Sequence, residues 1–162
     1  MLKRNLLAAA GLALAACTPQ NAAEPVASEV AENTHPISGL EIVPLSVTSG
    51  ETKHDFQVEI ARTPAEQAQG LMHRTKLGPN EGMIFPRNPP DVASFWMKNT
   101  VISLDIIFVG EDGRILNIAA NTVPLSLEPV GARGLTSLVF EIPGGRAEEL
   151  GIGAGDLVEW QE

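Results

Sequence analysis

Between Phe95 and Val109 the chain runs Phe-Trp-Met-Lys-Asn-Thr-Val-Ile-Ser-Leu-Asp-Ile-Ile-Phe-Val, apolar bulk interrupted by Lys98, Asn99 and Asp105. Apolar density of this kind predicts a buried pair of strands, and a polar group survives burial only where something satisfies it. The rest of the chain must therefore enclose this stretch and supply partners for its polar members. Side chains of an extended segment alternate faces, so Phe95 and Met97 share one face while Trp96 and Lys98 share the other. Asp105, flanked by Leu104 and Ile106, points away from them with Ile107 and Val109, toward a surface or cleft.

The enclosing elements are short. Leu40, Ile42 and Leu45 to Val47 suggest a first strand bent at Pro44, a residue that favours a sheet edge. Phe56, Val58 and Ile60 alternate with Gln57, Glu59 and Ala61, the period of a half-buried strand. Thr63-Pro64-Ala65-Glu66 carries an N-cap, a proline at the first helical position and a glutamate at the third, so a short helix starts there and stops at Gly70. Gly82 to Phe85 forms a strand closed by Pro86, with a loop over 87–91. Strands are predicted over 93–98, 104–109 and 115–119, the last two joined by the turn Glu111-Asp112-Gly113. Pro124 and Pro129 make 123–130 irregular, whereas 135–142 alternates as a central strand. Residues 146–150 form a helical turn or two before Gly151, and 156–160 a closing strand. Many short strands and one or two short helices define a mostly β domain, a β-barrel or β-sandwich. A parallel α/β fold lacks its helices.

The N-terminal end of the chain differs from this body. Residues 1–16 have a basic start at Lys3 and Arg4, an apolar run from Leu6 to Leu14 and a small-residue ending, the layout of a secretory signal rather than a membrane span. The ending Leu14-Ala15-Ala16-Cys17 resembles a bacterial lipobox, which implies lipidation at Cys17, the single cysteine. Thr18 follows, where aspartate would signal retention at the inner membrane, so the resemblance implies a lipid anchor facing the periplasm from the outer membrane. Residues 17–36, rich in Ala, Glu, Pro and Asn, read as a flexible tether in which His35 is solvated. A single domain over 37–162 follows. The formal charge of −9 disfavours nucleic acid as a partner.

Four motifs carry a family likeness: Gln69-Gly70-Leu71-Met72-His73-Arg74, Glu81-Gly82-Met83-Ile84-Phe85, Phe95-Trp96-Met97-Lys98-Asn99-Thr100 and Leu104-Asp105-Ile106-Ile107-Phe108. Together they resemble the domain-of-unknown-function family 192 over about Phe56 to Trp160. The resemblance implies a compact, mostly β domain and brings no reaction with it.

Candidate chemistry then rests on the residues. Trp96 and Lys98 offer an indole plane and an ammonium on one face, a floor for a ligand, with Asn99 and Asp105 close by in sequence. The structural alternative pairs Lys98 with Asp105 or another carboxylate and packs Trp96 over a loop. Arg62 and Arg74 bracket the capped helix and suggest an anion clamp, which ordinary surface arginines explain equally. Asp105 is the candidate base if the protein is a hydrolase-like enzyme, its second carboxylate coming from Glu66, Glu81, Asp91 or Glu141. No G-x-S-x-G, H-E-x-x-H or phosphate-cradling loop is present. Met72, Met83 and Met97, with His73, raise a lesser alternative, a thioether site for cuprous ion, against ordinary methionine core packing. The expectation is a non-catalytic binding domain for an unidentified envelope ligand or partner, without a cofactor.

Overall fold

Backbone pairing begins at the first residues of the computed structural model, which describes residues 33–161: Thr34 bridges Glu41, and the Ile42 amide donates to the Asn33 carbonyl. The signal and nearly all of the tether lie outside the described residues. Among those described, the strands are β1 (Ile42–Ser49), β2 (Thr52–Ile60), β3 (Glu81–Asp91), β4 (Ser94–Phe95), β5 (Leu104–Val109), β6 (Ile115–Ala119), β7 (Val130–Gly131), β8 (Thr136–Pro143) and β9 (Leu157–Trp160). Two short helices, α1 (Pro64–Gln69) and α2 (Arg146–Leu150), complete a mostly β domain.

Seven strands form one sheet in the order β6-β5-β8-β3-β2-β1-β9, while β4 and β7 pair separately. Every neighbour in the large sheet is antiparallel except β2 and β3, whose parallel pairing requires a crossover; α1 lies on it. The sheet curls until its two edges meet at one corner. There Arg114 bridges Leu157, and the Val158 amide donates to the Gly113 carbonyl at 2.8 Å. The architecture is thus barrel-like rather than a sandwich.

Curling gives the sheet an inner and an outer face. Val43, Leu45, Val47, Phe56, Val58, Ile60, Ile84, Phe140 and Ile142 fill the inside, with Phe56 and Phe140 edge to face at 5.2 Å. The outer face of β3, β5 and β8 carries Met83, Phe85, Leu104, Ile106, Phe108 and Val139, roofed by Phe95 of β4 and by Leu71, Ala93 and Met97 from the connecting segments. Alternation explains both layers, since β5 is buried at all six positions and sends odd and even residues to opposite cores. Close approach is built in at Gly82, where a Cβ would collide with the Glu141 carbonyl oxygen.

The capping box forms as the sequence predicts. Thr63 Oγ1 accepts from the Glu66 amide, and the Glu66 carboxylate accepts from the Thr63 and Arg62 amides at 2.8 Å each. The Thr63 amide chiefly holds this carboxyl below its usual range. Three expectations need correction. β1 is not an edge, because β9 pairs with it over 45–48; Pro44 sits just past the end of that pairing. β3 does not stop at Pro86 but runs irregularly to Asp91, which regains register opposite Thr136. The strand expected over 93–98 shrinks to Ser94–Phe95, since the Met97 amide turns to the Ser126 carbonyl and Asn99 adopts a φ of +57°.

Candidate functional site

One row across the outer face of the sheet organises the polar chemistry. Ile106 on β5 is paired with Glu141 on β8, Glu141 with Met83 on β3, and Met83 with Glu59 on β2. Two carboxylates therefore point out of the same face on either side of β3. At the strand spacing of about 4.8 Å their backbones are roughly 10 Å apart.

Glu59 is 3% exposed and fully partnered. Arg74 Nη2 reaches its two carboxylate oxygens at 2.7 and 2.6 Å, and the Ser38 hydroxyl donates to the same group. The Arg74 guanidinium lies 3.3 Å from both nitrogens of His35, whose side chain is only 16% exposed. His35 is thus packed against the ion pair, not solvated as the tether composition suggested. Arg74 is committed to Glu59, and Arg62 ion-pairs with Glu41 at 2.8 Å on the surface. The two arginines form no shared clamp.

Glu141 stands in a different setting. It is 5% exposed, and no hydrogen-bond donor among the described residues reaches its carboxyl. It lines a cleft of about 260 Å³ walled by α1, by β3 and by the segment from Ser94 to Thr100. Gln67, Gln69, Met72, Phe85, Arg87, Phe95 and Trp96 are the other principal lining residues. Burial alone pushes the Glu141 carboxyl up to about 8, which leaves it mostly neutral at pH 7. Arg87, at the rim, is occupied: its Nε and Nη2 donate to the two Asp91 carboxylate oxygens, its Nη1 to Gln67 Oε1 at 3.3 Å, and the guanidinium holds Asp91 below the usual carboxylate range.

Trp96 is 49% exposed on the cleft wall, with Lys98 Nζ 5.1 Å above its ring, while Phe95 and Met97 turn into the outer core. The alternation read from the sequence therefore holds, and Lys98 meets Trp96 rather than Asp105. Asn99 is exposed; its amide donates to Met72 Sδ at 3.7 Å, and its carbonyl accepts from the His73 amide. Asp105 is corrected most sharply. It points with Ile107 and Val109 as expected, but that side is the barrel interior, and the carboxylate is completely buried. Its Oδ1 accepts from the Asn121 and Gly145 amides at 2.7 and 2.9 Å, and Oδ2 from the Ala147 amide at 2.9 Å. Asp105 pins two loops and the start of α2, and no open cleft reaches it for acid–base work.

Of the three methionines, Met83 and Met97 are core side chains, and the Met97 sulfur already accepts from the Thr122 hydroxyl at 3.1 Å. Sequence reasoning names Glu141 only as one of four spare carboxylates. The available signal is its place in an otherwise apolar alternating strand, on the side of Val139. Sequence reasoning also misses an exposed apolar rim over Val101, Val123, Leu125 and Leu127, since the prolines of 123–130 mark only an irregular crossing. Hydrogen bonds from the Met97 amide to Ser126 and from the Leu125 amide to Thr100 fasten it beside the Trp96 segment.

A curled, mostly β domain of this kind also occurs in solved structures. Residues 45–160 match the family described as Uncharacterized ACR, domain-of-unknown-function family 192, and the chain belongs to that family. A crystal structure of a protein of unknown function from Novosphingobium aromaticivorans is 62% identical, with a TM-score of 0.77, covering 78% of this chain and 91% of its own. Another, from Sinorhizobium meliloti and described as a candidate transcription regulator, is 33% identical, with a TM-score of 0.73, covering 75% of this chain and 95% of its own. No curated protein matches the chain.

Proposed function

We propose that this is a binding domain of the bacterial cell envelope, lipid-anchored at Cys17, facing the periplasm from the outer membrane, and taking a small ligand or the exposed group of a partner into the Glu141 cleft without catalysis. The observation that carries the binding role is the cleft itself, which a half-exposed Trp96 lines together with a buried carboxyl that no donor among the described residues reaches. Concave sites with aromatic walls and few convergent polar groups are where small ligands bind. Enzymatic use of Asp105 is disfavoured by the three amides that hold it inside the barrel. The location rests on the signal and lipobox pattern of 1–17. Mass spectrometry of the mature N-terminus tests it: diacylglycerol on Cys17 is expected, and a mature chain beginning elsewhere overturns the anchor.

The cleft is tested through its tryptophan. With Trp160→Phe removing the other indole, Trp96 emission should change on titration with one or more members of a panel of envelope saccharides, peptides and amines. Trp96→Ala should weaken that capture while costing about 1 kcal/mol of stability, well below the roughly 3–5 kcal/mol of a fully buried aromatic ring. A silent panel, or a large loss of stability in Trp96→Ala, would sink the reading.

A further inference from the structure

The molecule itself shows what an ionised carboxylate on this face of the sheet requires. Glu59, in the same cross-strand row as Glu141, is held by the Arg74 guanidinium. Glu141 is buried almost as deeply, lacks any donor among the described residues, and opens on the cleft. The missing element is a cation, and Trp96, on the cleft wall, already takes one on its ring in the form of the Lys98 ammonium. We propose that the cleft recognises an organic ammonium ion, its head paired with Glu141 and its apolar body against Phe95 and Trp96. This rests on the reading of the cleft as a ligand site.

Other ligand classes fit less well. An anion would oppose ionisation of Glu141 and meets a chain of net charge −9, and the guanidinium at the rim, Arg87, is taken by Asp91. A neutral hydroxyl or amide can hydrogen-bond the protonated carboxyl but leaves its burial uncompensated on ionisation, whereas a cation stabilises the charged form. The volume of about 260 Å³ lies below the roughly 300–1,000 Å³ of drug-sized pockets, which suits a small amine or an amine head group.

The pairing moves a proton in a defined way. The neutral Glu141 carboxylic acid and an incoming alkylammonium ion give a carboxylate–ammonium ion pair, and the carboxyl proton passes to solvent. No bond to carbon changes. The charged groups around the cleft are Arg87 from β3, with its partner Asp91, and Lys98 on the Trp96 ring; α1 presents Gln67 and Gln69, and Ile106 of β5 is the cross-strand neighbour of Glu141. Because burial pushes Glu141 up to about 8, ammonium affinity should climb about tenfold per pH unit below that value and level off above it.

Calorimetry on the full chain with butylammonium and choline, and with 3,3-dimethylbutanol as the neutral counterpart of choline, decides the matter. Expected are binding of the ammonium ions, at least tenfold weaker binding of the alcohol, and release of about one proton in buffers of different ionisation heat. Glu141→Gln should lose ammonium binding at least tenfold while melting as a folded protein, and Trp96→Ala should weaken it too. If the alcohol binds as tightly as choline, or Glu141→Gln binds ammonium undiminished, amine recognition is overturned and the cleft remains a ligand site of another class. If neither ammonium binds, the proposal is overturned; a fluorescence response of Trp96 to a non-cationic panel member would then preserve the cleft reading alone.

Discussion

Glu59 and Glu141 stand on strands either side of β3, in one row of one sheet face, and the fold treats them in opposite ways. Around Glu59 the chain brings in Arg74, Ser38 and His35, and the charge is satisfied within the molecule. Around Glu141 it brings in Phe85, Phe95, Trp96 and two glutamines, and leaves the carboxyl facing a void. Two carboxylates of near-equal burial thus separate into a structural group and a candidate recognition group. The distinction lies in what covers them, and neither burial nor residue type would have drawn it. Asp105, on the opposite face, shows a third solution, satisfaction by backbone amides alone.

The comparison predicts its largest effect at the completed pair. Arg74→Met should leave Glu59 buried and uncompensated and cost about 3–5 kcal/mol, read as a lower midpoint in urea. Adding Glu59→Gln should recover part of that loss. A single variant that melts like the parent would show that the pair is not what holds this side of the sheet.

Glu141 should behave in the reverse sense and only in a pH window. Its folded pKa of about 8 stands above the ordinary 4.5, so the neutral form's contribution is fully present below about pH 4.5 and is lost as pH rises to about 8. Glu141→Gln cannot titrate and should lack this decline. The variant and parent should be equally stable near pH 4, with the variant ahead by on the order of 3–5 kcal/mol at pH 9. Parallel stability curves from pH 4 to 9 would mean that the carboxyl finds a partner in solution, and would remove the contrast with Glu59.

A smaller cost is expected at Asp105. Asparagine keeps one acceptor oxygen for the Asn121 and Gly145 amides but turns its own amide hydrogens toward the Ala147 amide, so Asp105→Asn should destabilise by about 1–3 kcal/mol. Ligand capture by the cleft, measured on the folded protein, should be unchanged. A loss of capture without a loss of stability would return Asp105 to the functional residues.

Much of the fold was legible because its signals are local. The capping box at Thr63 to Glu66, the turn at 111–113 and the alternation over 56–60 and 135–142 each act within a helical turn or between adjacent residues. The facing of Trp96 against Met97 follows from the same period of two. Where the reading failed, the deciding contact was distant. β1 became interior because a strand more than a hundred residues later pairs with it, and the strand expected over 93–98 was cut short by the carbonyl of Ser126.

The candidate site divides along the same line. Local periodicity is enough to place Glu59, Asp105 and Glu141 on strands and to assign each a face, because backbone geometry fixes the direction of a side chain from its immediate neighbours. Whether a buried carboxylate is then paired, capped by amides or left open depends on groups brought in by the curl of the sheet: Arg74 lies 15 residues from Glu59, and Ala147 lies 42 from Asp105. At Glu141 the outcome turned on α1 and the Trp96 segment walling the cleft with no donor to the carboxyl among the described residues, a property of the assembled tertiary surface that no window of sequence contains.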